Sequence, residues 1–232
     1  TNRSGGYNFE RYLRREILGK TEKPVVWALD EVDKMFAYDY RMDVFGMFRS
    51  WHNDRAYEPD GPWSKLTMVI AYATEAHLFI TDVNQSPFNV GTKLGLSDFN
   101  MDNLAELNQR YGSVLRSDYE IAQLYALTGG QPYLTRRTFD HLVQTHESLD
   151  QIEATADSDD GIFGDHLRRL LVTLTHDMET LNVVRRFLKG EQLPSETVFY
   201  QLRSGGLLSG HSVQDAKLRC RLYQTYLSNH LF

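Results

Sequence analysis

The chain has 232 residues, 41 % of them hydrophobic and 24 % charged, with a formal net charge of −6. That length suits one large domain or two small ones with a real core, and the acidic balance excludes a surface that grips nucleic acid everywhere. The single cysteine, Cys220, excludes an internal disulfide, and no apolar run approaches the roughly 20 residues of a membrane-spanning helix, so the chain reads as soluble and cytoplasmic, with no membrane partner.

Apolar residues at Tyr7, Phe9, Tyr12, Leu13 and Ile17 predict an amphipathic helix from Tyr7 to Leu18, closed by Gly19 and Pro24. The preceding TNRSGG lacks an initiator Met and reads as the start of a fragment. Val25 to Leu29 is short, apolar and not alternating, which predicts a fully buried strand. Arg41 to Asn53 repeats Met42, Phe45, Phe48 and Trp51 at helical spacing, and the Pro- and Gly-containing NDRAYEPDGPWS that overlaps its end is a predicted loop. Lys65 to Thr74 is a second buried strand. Beyond Pro87 helices dominate: Asn100 and Ser117 are predicted N-caps, Gly129-Gly130 is a break, and a further helix covers Pro132 to His146. From about Gly205, two short strands around a polar turn precede a final helix. Composition shifts place a hinge near Ser97 and a second boundary near Asp157 to Asp160.

An apolar strand ending in Asp30-Glu31 is the Walker B pattern, placed where a parallel α/β sheet binds ligands. Asp30 is the candidate Mg²⁺ ligand and Glu31 the candidate for polarising the attacking water. The competing reading is an acidic pair that caps the next helix, which is also the role expected of Asp33. The second strand ends in YATEAH, where a polar residue beside a Walker B strand serves as sensor 1; Thr74 is the first candidate and Glu75 the alternative. In TGGQPYLTRR, Gly129, Gly130 and Pro132 open a helix and would allow a backbone close to a flat ligand, while an arginine one turn in could reach a γ-phosphate. An ordinary turn between helices with exposed arginines is the alternative. Gly19-Lys20-Thr21 resembles the end of a phosphate-binding loop, but position 14 is arginine and a helix precedes it, so it reads as a helix end. The histidines are scattered without metal-ligand spacing, and Cys220 reads as a packing residue.

Taken in order, VVWALDEVDKMF, FRSWHN, TMVIAYATEAH, QSPFNVG, LTGGQPYL and GIFGDHLRRLL resemble the AAA-like ATPase domains of bacterial signalling proteins, on the AAA+/STAND side of the P-loop NTPases. The resemblance covers about Tyr7 to Phe232. It implies an α/β fold with a partial P-loop NTPase-type parallel sheet core over 1–97, a helical lid over 98–157 and a C-terminal winged-helix domain over 158–232. It also implies ATP and Mg²⁺ as cofactors. Asp30 falls on the metal position, Glu31, Thr74 and Arg136 on catalytic positions, and Gly129, Gly130 and Pro132 on the lid turn against adenine. The implied function is an ATP/ADP-dependent regulatory switch joined to sensor or effector modules, compatible with a homo-oligomer. The family's phosphate-binding loop is expected upstream of residue 1, and without it these residues alone are expected to bind nucleotide weakly and to be inactive. The alternative is a non-hydrolysing adaptor or nucleic-acid-binding module that uses the winged helix. Ser195 to Ser204 carries one Arg against one Glu and apolar Val198, Phe199 and Leu202, so nucleic acid is not the expected partner.

Overall fold

A computed structural model of the chain describes residues 5–73 and 87–232. Its contacts divide it into two units, Thr1–Gly95 and Leu96–Phe232.

In the first unit, β1 (Val25–Leu29) and β2 (Leu66–Ile70) pair in parallel, with Val25 opposite Leu66 and Leu29 opposite Ile70. The crossover between them contains a 3₁₀ turn, Val32–Ala37, and helix α2, Arg41–Tyr57, as parallel pairing requires. The aromatic stripe of α2 is buried as its spacing predicts, at Phe45, Phe48 and Trp51. Trp27 meets Phe48 at 5.9 Å and Trp51 at 6.3 Å between ring centroids. Trp63 stacks on Trp51 at 4.6 Å. The prediction of fully buried strands is corrected: burial alternates along both, leaving Val26 66 % and Val69 49 % exposed. Only the face carrying Trp27 and Leu29 packs against this unit's core.

The first helix also differs from expectation. It is α1, Gly5–Tyr12, continued by a π-helical turn, Leu13–Leu18. Of its predicted apolar face only Leu13 is buried, while Phe9 lies 5.9 Å from Trp27 and Tyr12 is 57 % exposed. Gly19 ends the turn, its N–H donating to Arg14 at 2.9 Å. Lys65 Nζ donates to the Thr21 carbonyl at 2.7 Å, and Lys20 pairs with Glu16. The Gly-Lys-Thr tripeptide is therefore a helix end. Helix α2 runs past the expected Asn53 to Tyr57, because Pro59 and Gly61 lie beyond the Glu58 N–H to Asp54 bond that closes it.

The second unit is helical: α3 (Met101–Arg110), α4 (Asp118–Thr128), α5 (Pro132–Thr145), α6 (Leu149–Ala154), α7 (Gly164–Thr175), α8 (Met178–Leu188) and α9 (Glu196–Ser204). The hairpin β3 (Leu208–Ser209) and β4 (Lys217–Leu218) pairs antiparallel and leads into α10, Arg221–Leu231. The predicted caps are present. Asn100 accepts from the Asn103 N–H at 2.8 Å and Asn103 returns the bond, while Ser117 accepts from Glu120. Pro132 opens α5, where its missing N–H costs nothing. Leu124, Phe139, Phe163 and Phe199 are fully buried in one apolar cluster that runs from Leu104 to Leu231, so the segments 98–157 and 158–232 share a core. Among the described residues no helix is long and apolar enough to cross a membrane.

Candidate functional site

At the C-terminal end of β1 the chain turns sharply. The Leu29 carbonyl accepts from Ala71 N–H at 2.8 Å, and Val32 N–H donates to the Ala71 carbonyl at 3.1 Å. Between these ladder-like bonds sits Glu31, in the left-handed region at φ 53°, ψ 38°. That region is unfavourable for a residue with a Cβ, and strain of this kind concentrates at functional sites. The three acids of the turn have three different jobs. Asp30 Oδ1 accepts the Glu31 N–H at 2.8 Å, which holds the turn. Glu31 pairs with Lys34. Asp33 Oδ1 accepts the Ala73 N–H at 3.3 Å, across on the exit of β2.

Asp30 is exposed, and its other oxygen has no hydrogen bond to a described residue. Among the described residues no three His, Cys, Asp or Glu side chains converge on a metal-sized space. A carboxylate at a strand tip suits Mg²⁺, which is held by one or two carboxylates and keeps water and phosphate oxygens as its remaining ligands. Thr74 and its alternative Glu75 lie outside the described residues, as does Gln85. From the same QSPFNVG stretch, however, Phe88 is buried against Phe45 at 5.4 Å and Phe36 at 6.1 Å, with Tyr72 at 4.8 Å. This anchoring role had no signal beyond the aromatic residue itself.

Gly129, Gly130, Pro132 and Arg136 belong to the second unit. Gly129 and Gly130 have φ of 64° and 74°. A Cβ on Gly129 would lie 2.3 Å from the Arg219 carbonyl oxygen, and one on Gly130 only 1.9 Å from that of Phe99. Phe99 N–H also donates to the Gly130 carbonyl at 2.9 Å. The close approaches that demand glycine are thus made by this chain's own backbone. Arg219 holds Asp98 through Nε at 2.9 Å and Nη2 at 2.5 Å, tying the entry of α3 to the end of the hairpin. Arg136 is exposed, its Nε 3.7 Å from Asp140. Arg137 instead reaches the Ile162 carbonyl at 3.3 Å.

Beside this joint, His166 lies between Tyr133 and Tyr223, 5.1 Å and 5.7 Å away by ring centroids, with Nε2 2.7 Å from the Tyr223 hydroxyl. Burial, and then the charges of Arg169 and Arg219, push the His166 pKa below its ordinary 6.5. The unfolded chain therefore takes up this proton first, so the stabilisation is complete above about pH 6.5 and is lost as pH falls through the lowered folded value. An NMR titration of the imidazole should give a midpoint below 6.5, and His166→Gln should flatten the fall in stability over that range. Burial also pushes the Cys220 thiol up to about 12, which fits packing and not nucleophilic chemistry.

Helix α9 turns Phe199 and Leu202 into the core. Two acids order the backbone around it: Glu196 accepts from Val213 N–H at 3.3 Å, and Asp215 holds the hairpin turn by accepting from His211 at 2.9 Å and Ser212 at 2.7 Å.

A WD repeat-containing protein of Synechocystis sp. is 28 % identical over 118 residues, a stretch that spans 50 % of this chain and 10 % of that protein. No solved structure matches the chain. The description AAA-like domain matches residues 4–229, and the chain belongs to that family.

Proposed function

We propose that these residues are the ATPase-core, lid and winged-helix part of an ATP-dependent regulatory switch of STAND type, hydrolysing ATP slowly with Mg²⁺. The observation that carries this reading is the parallel β1 tip, where one Asp30 oxygen has no hydrogen bond to a described residue and Glu31 is held in a strained conformation. In this role Asp30 holds the ion, which offsets phosphate charge when bound. Glu31 orients water and accepts its proton.

This reading requires a phosphate-binding loop, a pattern these 232 residues do not show, because backbone N–H groups and a lysine at a helix N-terminus supply most of the phosphate grip. A strand–loop–helix unit would pair with an open sheet edge and cover the exposed Val26 and Val69 face. Arg136, with most of its side chain in solvent, is available to a γ-phosphate. Sensor or effector modules are the proposed partners. The WD-repeat name of the Synechocystis relative is in keeping with such modules. Helix α9 sets one arginine, Arg203, against Glu196 at its start and so offers little to phosphates, which favours a docking role for the helix-plus-hairpin segment over DNA reading.

Calorimetric titration with MgATP and MgADP, on protein that includes the loop, tests the reading. Binding near micromolar, about 8 kcal/mol, is expected, and Asp30→Ala should remove its Mg²⁺ dependence. Protein that binds neither nucleotide would sink the reading.

A further inference from the structure

We infer that Asp33, two residues beyond the proposed water-polarising glutamate, is a positioning residue that holds Glu31 in its working conformation; this rests on the hydrolytic reading above. Among the described residues the turn after β1 is fastened to the exit of β2 at two points. One is backbone to backbone, from Val32 N–H to the Ala71 carbonyl at 3.1 Å. The other is the Asp33 carboxylate accepting the Ala73 N–H at 3.3 Å, and it alone depends on a side chain.

Glu31 stands immediately before the first fastening, at φ 53°. A glutamate relaxes out of the left-handed region unless its neighbours over-determine it. Asp30 acts on the turn from the N-terminal side, by accepting the Glu31 N–H at 2.8 Å. Asp33 acts from the C-terminal side and also fixes the turn against β2. Asp33 is half-buried, whereas Asp30 and Glu31 are exposed, as suits an acid turned toward the protein. A carboxyl oxygen is what the Ala73 N–H needs, and an amide oxygen can replace it. Charge is therefore dispensable at this position and the acceptor is not.

Two measurements test this, and their failures are separable. In the full chain without nucleotide, the Ala73 amide should exchange faster in Asp33→Ala and at the parental rate in Asp33→Asn. Unchanged exchange in Asp33→Ala overturns the tether whatever the protein hydrolyses. In protein that includes the phosphate-binding loop, Asp33→Ala should lower kcat about five- to tenfold at unchanged KM, and Asp33→Asn should restore it. A rise in KM with kcat intact, or no rescue by asparagine, overturns the positioning role. If the parent protein hydrolyses no ATP while the amide result holds, the hydrolytic reading fails and the tether is a structural bond only.

Discussion

Glu31→Gln, in protein that includes the phosphate-binding loop, should bind ATP as tightly as the parent and hydrolyse it about 100-fold more slowly or worse. Glutamine keeps the size and the hydrogen-bonding reach of the side chain but cannot take a proton from water. The substitution also removes the charge partner of Lys34, so two causes of a slower enzyme must be separated. Both partners are largely exposed, and exposed pairs three residues apart contribute too little to account for a loss of that size. Lys34→Ala therefore serves as the control and should retain most of the turnover. Phosphate release and nucleotide affinity are measured on all three proteins. Undiminished turnover in Glu31→Gln removes this residue from the mechanism, and an equal loss in Lys34→Ala assigns the effect to the ion pair.

How much of this was readable beforehand depended on whether the cause lay within a few residues. Caps at Asn100 and Ser117, the Pro132 start of α5 and the terminal hairpin are local effects, and the sequence pattern placed them correctly. The β1 strand was equally legible, but its burial was not: apolar residues on both faces looked like full coverage, whereas α2 and the core cover only one. The π-helical turn after Tyr12 carries no sign in the sequence pattern, and α2 reaches Tyr57 because its breakers, Pro59 and Gly61, lie beyond the bond that closes it. At the site, the Asp30-Glu31 pair announced itself by position. The left-handed conformation of Glu31 did not, since glutamate carries no signal for positive φ. Asp33 read only as a helix-start acid because its partner, Ala73, is distant in sequence. The glycine pair marks a site of close approach in the sequence, while the partner in that approach, the chain's own Phe99 and Arg219 carbonyls, carries no sequence signal.

That last difference yields the largest stability effect expected here. Gly130→Ala should destabilise the second unit by about 3–5 kcal/mol, through two additive causes. A left-handed backbone at φ 74° costs alanine about 1 kcal/mol. The new methyl would also meet the Phe99 oxygen at 1.9 Å, which is backbone and cannot swing aside. Relief requires moving Phe99, with loss of its 2.9 Å bond to Gly130 and displacement of the neighbouring Asp98 from Arg219. Gly190 supplies the control, since it has φ 90° with nothing within 4 Å of a built Cβ. Gly190→Ala should therefore cost only the backbone part, about 1 kcal/mol. Trp27, Trp51 and Trp63 all lie in the first unit. Urea unfolding followed by far-ultraviolet circular dichroism should accordingly shift much further than the tryptophan fluorescence transition. Equal losses for the two glycines would show that backbone conformation alone selects them. A Gly130→Ala protein of parental stability that has lost nucleotide binding would return this turn to the ligand.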